Sequence, residues 1–77
     1  MPELELFGTS SCPYTAQMRE DLLWRRLAFV EYDVDNDRAA LERLLDLNGG
    51  DRTVPVLVRN GMVEQVGWEG RGCYAGG

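Results

Sequence analysis

Residues 9–15, TSSCPYT, place a cysteine directly before a proline, with a threonine three positions after the cysteine. A thiol attacks other sulfur atoms as its thiolate, so its surroundings decide whether it is reactive. Cys12 falls between a predicted strand and a predicted helix, where free N–H groups and the helix dipole favour negative charge. Such cysteines have pKa values lowered from about 8.5 to between ~3.5 and ~7.5. We interpret Cys12 as a reactive nucleophile; the alternative is a small buried residue at a turn.

Two further side chains bear on this interpretation. Thr15 follows Cys12 by three residues, so in a helix its hydroxyl is placed to donate a hydrogen bond to the sulfur; otherwise it is an ordinary residue of the helix start. The second cysteine, Cys73, lies in GWEGRGCYAGG, which has five glycines in eleven residues. This composition is typical of a loop or mobile tail, which we delimit as residues 69–77 after a domain of residues 1–68. Such a tail can bring Cys73 to Cys12 or leave it as a bystander.

The composition excludes several kinds of protein. The 77 residues form one small domain with a net charge of −5, which argues against nucleic acid as a partner. The absence of histidine excludes a Cys-His catalytic pair, and two cysteines alone cannot complete a four-ligand zinc site. The N-terminus lacks a basic region and no apolar stretch approaches a membrane span. We expect a soluble, cytoplasmic, bacterial protein that binds no metal and no membrane.

Hydrophobic periodicity predicts a β-α-β-α-β-β order. LELF is a strand, and the helix from Pro13 has a predicted apolar face of Ala16, Leu23 and Leu27, with Met18 and Leu22 beside it. FVEYDV alternates as a strand does. One of Asp35, Asn36 and Asp37 caps a second helix, whose apolar stripe comprises Ala40, Leu41, Leu44 and Leu45 and which ends at Gly49 and Gly50.

The strands VLVRN and MVEQV meet at Asn60-Gly61, a strong hairpin signal. Parallel pairing across the helical crossover and an antiparallel hairpin together predict an α/β fold: a four-stranded mixed sheet with a helix on each face.

The motifs CPY at a strand–helix junction and TVP before a hairpin resemble the glutaredoxin branch of the thioredoxin-like fold over about residues 3–68. The resemblance implies that Cys12 is the nucleophile and that Pro55 is a cis-proline facing it. It also implies that the N–H and C=O of Val54 pair with the cysteinyl backbone of glutathione or of a target peptide. Glutathione is then a co-substrate, and no cofactor is tightly bound. The substrate-binding residues implied are Tyr14, Arg52, Thr53, Val54, Pro55 and, in VGW on the same rim, Trp68.

The sequence departs from that family at three places. Thr15 stands where the usual C-P-Y-C motif has its second cysteine, so no disulfide forms within the motif. Thr9 replaces a lysine that often helps to hold glutathione; Arg52 or Arg71 is the alternative cation. The chain also ends where the family's final helix should begin, which predicts an uncovered sheet face unless Trp68 and Tyr74 fold back or a second subunit forms a homodimer.

CPYT followed by GRGC also resembles small glutaredoxin-like proteins of the Uxx-star type, some with selenocysteine at the nucleophile position, which implies a chemical role for Cys73. The leading hypothesis is a thiol–disulfide oxidoreductase whose mixed disulfide on Cys12 is resolved by glutathione or by Cys73. The alternative is a module that holds an iron–sulfur cluster with glutathione, against which Pro13 and Tyr14 argue because cluster-binding relatives have C-G-F-S. A third hypothesis is a structural domain with an inert cysteine.

Overall fold

The computed structural model describes residues 2–76 and contains the six predicted elements and two further short strands. In chain order these are β1 (Leu4–Gly8), α1 (Pro13–Trp24), β2 (Val30–Asp33), α2 (Arg38–Leu47), β3 (Thr53–Val54), β4 (Val56–Arg59), β5 (Met62–Val66) and β6 (Cys73–Tyr74). Within the described residues, no helix is long and apolar enough to cross a membrane.

The main sheet has the strand order β2-β1-β4-β5. β1 and β2 are parallel, whereas β4 is antiparallel to both β1 and β5. Asn60 and Gly61, at the turn between β4 and β5, both have positive φ angles, 52° and 80°. Two positive φ angles suit the tight turn of a two-residue hairpin, which explains why asparagine and glycine stand there. The predicted four-stranded mixed sheet is confirmed.

An apolar cluster lies on each face of this sheet, which explains why the central strand β1 is buried along its whole length. The cluster beneath α1 comprises Leu4, Leu6, Met18, Leu22 and Leu57. The cluster beneath α2 comprises Phe7, Cys12, Val34, Ala40, Leu44, Val54, Val56, Val58 and Ala75. Each helix therefore covers one face, as predicted.

The predicted apolar face of α1 was wrong by about one residue. The buried side chains are Thr15, Met18 and Leu22, while Leu23 is 59% exposed. The cause lies at the end of β1. A Cβ at Gly8 would lie within 2.6 Å of the Thr15 hydroxyl oxygen, so only glycine allows Thr15 to approach the sheet this closely. With this contact, the side of α1 that carries Thr15 faces the sheet and Leu23 lies on the outside.

α2 is held by polar contacts at its start and along its length. The Asp37 side chain caps it by accepting a hydrogen bond from the Ala40 N–H at 3.1 Å. Farther along, Arg43 donates to both carboxylate oxygens of Glu5, at 2.7 and 3.1 Å, and the Tyr32 hydroxyl donates to Glu5 at 2.7 Å. Glu5 is only 1% exposed. The hydrogen bond from Arg43 lowers the pKa of the Glu5 carboxyl, against the opposing effect of burial.

The glycine-rich C-terminal segment is not the mobile tail that its composition suggested. β6 pairs antiparallel with β3, so Thr53 faces Tyr74 and Val54 faces Cys73. Composition missed this strand because two residues within a glycine-rich segment carry no periodicity. The domain boundary after residue 68 stays a prediction.

The prediction for the sheet face that lacks a final helix is answered in part. Trp68 is half-buried and packs against the cluster beneath α1. Tyr74 is 76% exposed and does not fold back onto that face. The homodimer stays a prediction.

Candidate active site

Cys12 is the N-cap residue of α1, the position expected for a reactive thiol. Pro13 is the first helical residue, where its missing N–H costs no hydrogen bond. The Cys12 side chain makes no capping hydrogen bond. Free N–H groups of the first helical turn are therefore available to stabilise negative charge on the sulfur. Cys12 is 2% exposed and belongs to the cluster beneath α2.

Cys12 and Cys73 are joined by a disulfide, with their Cα atoms 6.1 Å apart. The structure thus brings together two cysteines from opposite ends of the chain. Cys73 is half-buried and lies in β6, directly opposite Val54 of β3. The resemblance predicted that the backbone of Val54 pairs with the cysteine of glutathione or of a target. In this disulfide form the chain's own Cys73 occupies that place.

Residues 72–76, here called the docked arm, are held by contacts other than the disulfide. The Ala75 N–H donates to the Arg52 carbonyl at 2.8 Å, and the Gly76 N–H donates to the Asp35 carboxylate at 2.9 Å. The Ala75 side chain is fully buried in the cluster beneath α2. At Gly72 an added Cβ would lie 2.7 Å from the Val54 carbonyl oxygen, so glycine permits the arm's close approach to β3.

Thr15 is fully buried, three residues into the helix from Cys12. Its hydroxyl oxygen accepts a hydrogen bond from the Thr9 N–H at 3.4 Å. This contact uses the oxygen as an acceptor and leaves its proton for another partner. The proposed donation to the Cys12 sulfur stays a prediction.

β3 and Pro55, directly before β4, hold three of the predicted substrate-binding residues. The Val54–Pro55 peptide bond is cis, and both residues are buried. Thr53 donates from its N–H and its hydroxyl to the Asp51 carboxylate, at 2.9 and 2.7 Å. The hydroxyl hydrogen bond, followed by the backbone one, lowers the pKa of Asp51. Gly67 joins the neighbouring VGW segment to this loop by donating to the Pro55 carbonyl at 2.7 Å.

The other predicted substrate-binding residues, Tyr14, Arg52 and Trp68, differ in their contacts. Tyr14 is half-buried and packs against the cluster that contains Cys12. The Arg52 carbonyl anchors the arm, and its side chain is close enough that a Cβ at Gly76 would meet its guanidinium at 2.7 Å. Trp68 packs on the opposite face of the sheet, beneath α1. Trp68 is thus not part of the cluster around Cys12.

Comparison with known proteins agrees with this geometry. The family model for glutaredoxin matches residues 4–64. The chain belongs to the glutaredoxin family. It is 39% identical over 54 residues to a protein of Mycobacterium tuberculosis that carries the provisional name glutaredoxin. The match covers 70% of this chain and 64% of that relative, so the chain spans less than two thirds of the relative's length.

Solved structures show the same fold. A single-substitution mutant of the thioredoxin-like protein BC3987 superimposes with a TM-score of 0.75 at 30% identity, covering 86% of this chain and 83% of that one. The glutaredoxin of Archaeoglobus fulgidus gives a TM-score of 0.79 at 23% identity, covering 90% and 78%. The thioredoxin-like fold of this glutaredoxin is therefore confirmed.

Sequence reasoning missed two residues that shape the site of this glutaredoxin. Asp35 was considered only as a helix cap, whereas its carboxylate holds the end of the arm. Ala75 carried no signal, because an alanine between tyrosine and glycine shows no pattern of burial. Among residues 2–76, no three side chains of the types that bind metals are grouped together.

Proposed function

We propose that this glutaredoxin is a thiol–disulfide oxidoreductase in which Cys12 is the nucleophile and Cys73 the resolving thiol. The observation that supports the proposal is the disulfide between the N-cap of α1 and the docked arm. Because Thr15 replaces a second motif cysteine, the partner thiol has to come from elsewhere. Cys73 supplies it from β6.

The reaction proceeds in two exchanges. The Cys12 thiolate attacks one sulfur of a client disulfide, and the client's other sulfur leaves as a thiolate. The Cys73 thiolate then attacks the Cys12 sulfur and expels the first client sulfur. The client has gained two electrons and the chain holds the Cys12–Cys73 disulfide. Protons from the two cysteine thiols end on the client thiols, so no histidine is needed as a base.

We propose protein disulfides as clients and glutathione as the co-substrate thiol that restores the reduced form in the cytoplasm. A buckwheat glutaredoxin with the same fold, at 22% identity and a TM-score of 0.71, was crystallised in complex with glutathione. At that identity the likeness shows the fold alone, so glutathione rests on family membership. The backbone of Val54 is open to an external cysteine only when the docked arm has left it, because Cys73 pairs there now.

Peptide mapping without reductant tests the proposal. Mild oxidation of the monomer should give a linked Cys12–Cys73 peptide. Cys12→Ser should abolish disulfide reduction, whereas Ser11→Ala, an exposed neighbour, should leave it unchanged. Cys73→Ser should accumulate a mixed disulfide on Cys12. If oxidation gives only glutathionylated Cys12 or intermolecular dimers, and Cys73→Ser turns over at the normal rate, then Cys73 is a bystander.

The cluster-binding alternative makes a separate prediction. Protein purified without oxygen would be brown and would absorb visible light. No contact among the described residues favours that function over thiol exchange.

A further inference from the structure

A surface cavity of about 270 Å³ lies beside Cys73. Its lining comes from the end of β5, the turn that follows it, and β6 with Thr53 of the neighbouring β3. The lining residues are Thr53, Val66, Gly67, Gly70, Arg71, Gly72, Cys73 and Tyr74. Cys73 lines the cavity and also packs against the cluster beneath α2, to which the buried Cys12 belongs.

We propose that this cavity receives the external reducing thiol, which attacks Cys73 and releases Cys12 as the leaving thiolate. The inference rests on the proposed function, because it concerns how the Cys12–Cys73 disulfide is opened. It assigns Cys73 a second role, as the electrophilic sulfur, in addition to resolving the client disulfide.

The exposure of the two cysteine residues favours attack at Cys73. A thiolate has to reach a sulfur along the line of the disulfide bond, so the more exposed cysteine is attacked. Cys12 is 2% exposed, and Cys73 is only half-buried and borders the cavity. The anchors at Arg52 and Asp35 hold the arm over Cys12 until the disulfide opens.

The leaving group favours the same direction. The thiol with the lower pKa leaves faster in thiol–disulfide exchange. Cys12 stands at the N-terminus of a twelve-residue helix, where the N–H groups and the dipole stabilise its thiolate. Cys73 lies in a two-residue strand without such a helix terminus. Expelling Cys12 is therefore the easier of the two cleavages.

The charge of the cavity indicates the class of thiol. Arg71 lines the cavity, is exposed, and makes no ion pair with another of the described residues 2–76. Its backbone is fixed, since Arg71 and Trp68 exchange N–H to carbonyl hydrogen bonds of 2.9 and 2.7 Å. An exposed arginine on a fixed turn suits a small thiol that carries carboxylates, of which glutathione is an example.

The reductive steps balance with two molecules of that thiol. The first thiolate bonds to the Cys73 sulfur, the Cys12–Cys73 bond breaks, and Cys12 takes the electron pair. The second thiolate attacks the outer sulfur of the mixed disulfide and expels Cys73. Two external thiols are oxidised to one disulfide, the protein disulfide is reduced, and the two released protons go to Cys12 and Cys73 or to solvent.

Rapid trapping tests the site of attack. The oxidised wild-type protein is mixed with limiting glutathione, quenched with acid at successive early times, and digested with pepsin under acid so that mixed disulfides survive. Glutathione should appear first on the Cys73 peptide. Glutathione that appears first on the Cys12 peptide overturns the inference and leaves the proposed function intact. A protein that forms no Cys12–Cys73 disulfide at all contradicts the proposed function instead.

Charge reversal tests the cavity. Arg71→Glu should slow reduction of the disulfide by glutathione about three- to tenfold at low ionic strength, because it replaces attraction with repulsion. Arg38→Glu changes the net charge equally at an exposed position of α2 outside the cavity and should change the rate less than twofold. Arg71→Glu should slow reduction by 2-mercaptoethanol, whose thiolate carries no carboxylate, by a smaller factor than it slows reduction by glutathione. Equal slowing by both variants, or equal slowing of glutathione and 2-mercaptoethanol by Arg71→Glu, would show that the cavity does not select the reductant.

Discussion

The two helices both begin after a strand and a short loop, but the residues at their N-caps act differently. At α2 the Asp37 carboxylate accepts the Ala40 N–H and so satisfies one of the free donors of the first turn. At α1 the N-cap is Cys12, whose side chain makes no capping hydrogen bond. A capping carboxylate and a thiolate are both stabilised by the same free N–H groups.

The difference teaches how one structural position serves two purposes. α2 uses its N-cap for stability, and the contact between Arg43 and the buried Glu5 carboxylate stabilises it further along its length. α1 leaves its N-cap donors for a sulfur that changes its charge in the proposed reaction. We therefore expect substitutions at the start of α1 to change the reactivity of Cys12, and substitutions in α2 to change the free energy of unfolding.

The largest expected effect concerns the two cysteines of the reduced protein. At about pH 6, iodoacetamide should alkylate Cys12 at least about tenfold faster than Cys73, because a helix N-terminus raises the thiolate fraction. Mass mapping of partially alkylated protein measures the two rates. Faster modification of Cys73 would show that the reduced arm shields Cys12, or that the α1 terminus does not activate it.

The second prediction concerns the stability of α2. Glu5→Gln should lower the free energy of unfolding by about 2 kcal/mol, because it weakens charged hydrogen bonds to a side chain that is 1% exposed. Denaturant unfolding measures the change. The matched control is Glu42→Gln on α2 itself, whose ion pair with Arg38 is exposed at 3.8 Å and should contribute less than about 0.5 kcal/mol. Equal effects would refute a special role for Glu5.

The same pair predicts a pH dependence. Arg43 lowers the pKa of Glu5 below 4.5 in the folded protein, so protonation favours the unfolded chain. The stability that Glu5 contributes is complete above about pH 4.5 and is lost as the pH falls through its folded-state pKa. The difference in stability between the wild type and Glu5→Gln should therefore shrink as the pH falls below 4.5. A difference that stays constant there would contradict the lowered pKa.

The next effect returns to α1. Thr15→Val keeps the shape beside Gly8 and removes the hydroxyl, so the Cys12 pKa should rise by about one to two units if the hydroxyl donates to the thiolate. Ultraviolet absorbance of the thiolate, followed against pH in a Cys73→Ser background, measures it. Thr15→Ser retains the hydroxyl and should keep the pKa within about half a unit. An unchanged pKa in Thr15→Val would make Thr15 a packing residue only.

The sequence predicted the elements that have strong local signals. Asn60-Gly61 indicated the hairpin, and Cys12-Pro13 indicated the start of α1. Both depend on backbone geometry that these residue types favour by themselves. The inward face of α1 was predicted wrongly because it depends on how closely Thr15 of α1 approaches Gly8 of β1. The hydrophobic periodicity of α1 contains no information about that distance.

The candidate site could likewise be predicted only in part from the sequence. CPY and TVP identified one side of it, since both lie in segments with a family pattern. The other side depends on β6, whose place is fixed by the burial of Ala75 and the contact between Asp35 and Gly76. The Asp35–Gly76 contact joins residues 41 positions apart. Glycines without a periodic pattern look the same in a mobile tail and in a docked arm.

The smallest effect is expected at the N-cap of α2. Asp37→Ala removes the acceptor of the Ala40 N–H and should cost about 1 kcal/mol of unfolding free energy, whereas Asp37→Asn should restore most of it because asparagine caps equally well. Denaturant unfolding of the three proteins measures this order. The alkylation rate of Cys12 should be the same in all three, since Asp37 caps the other helix. A slower rate in Asp37→Ala would mean that the two helix starts are coupled, through Val34 or the Asp35 anchor of the arm, and the division between a stabilising and a reactive helix start would fail.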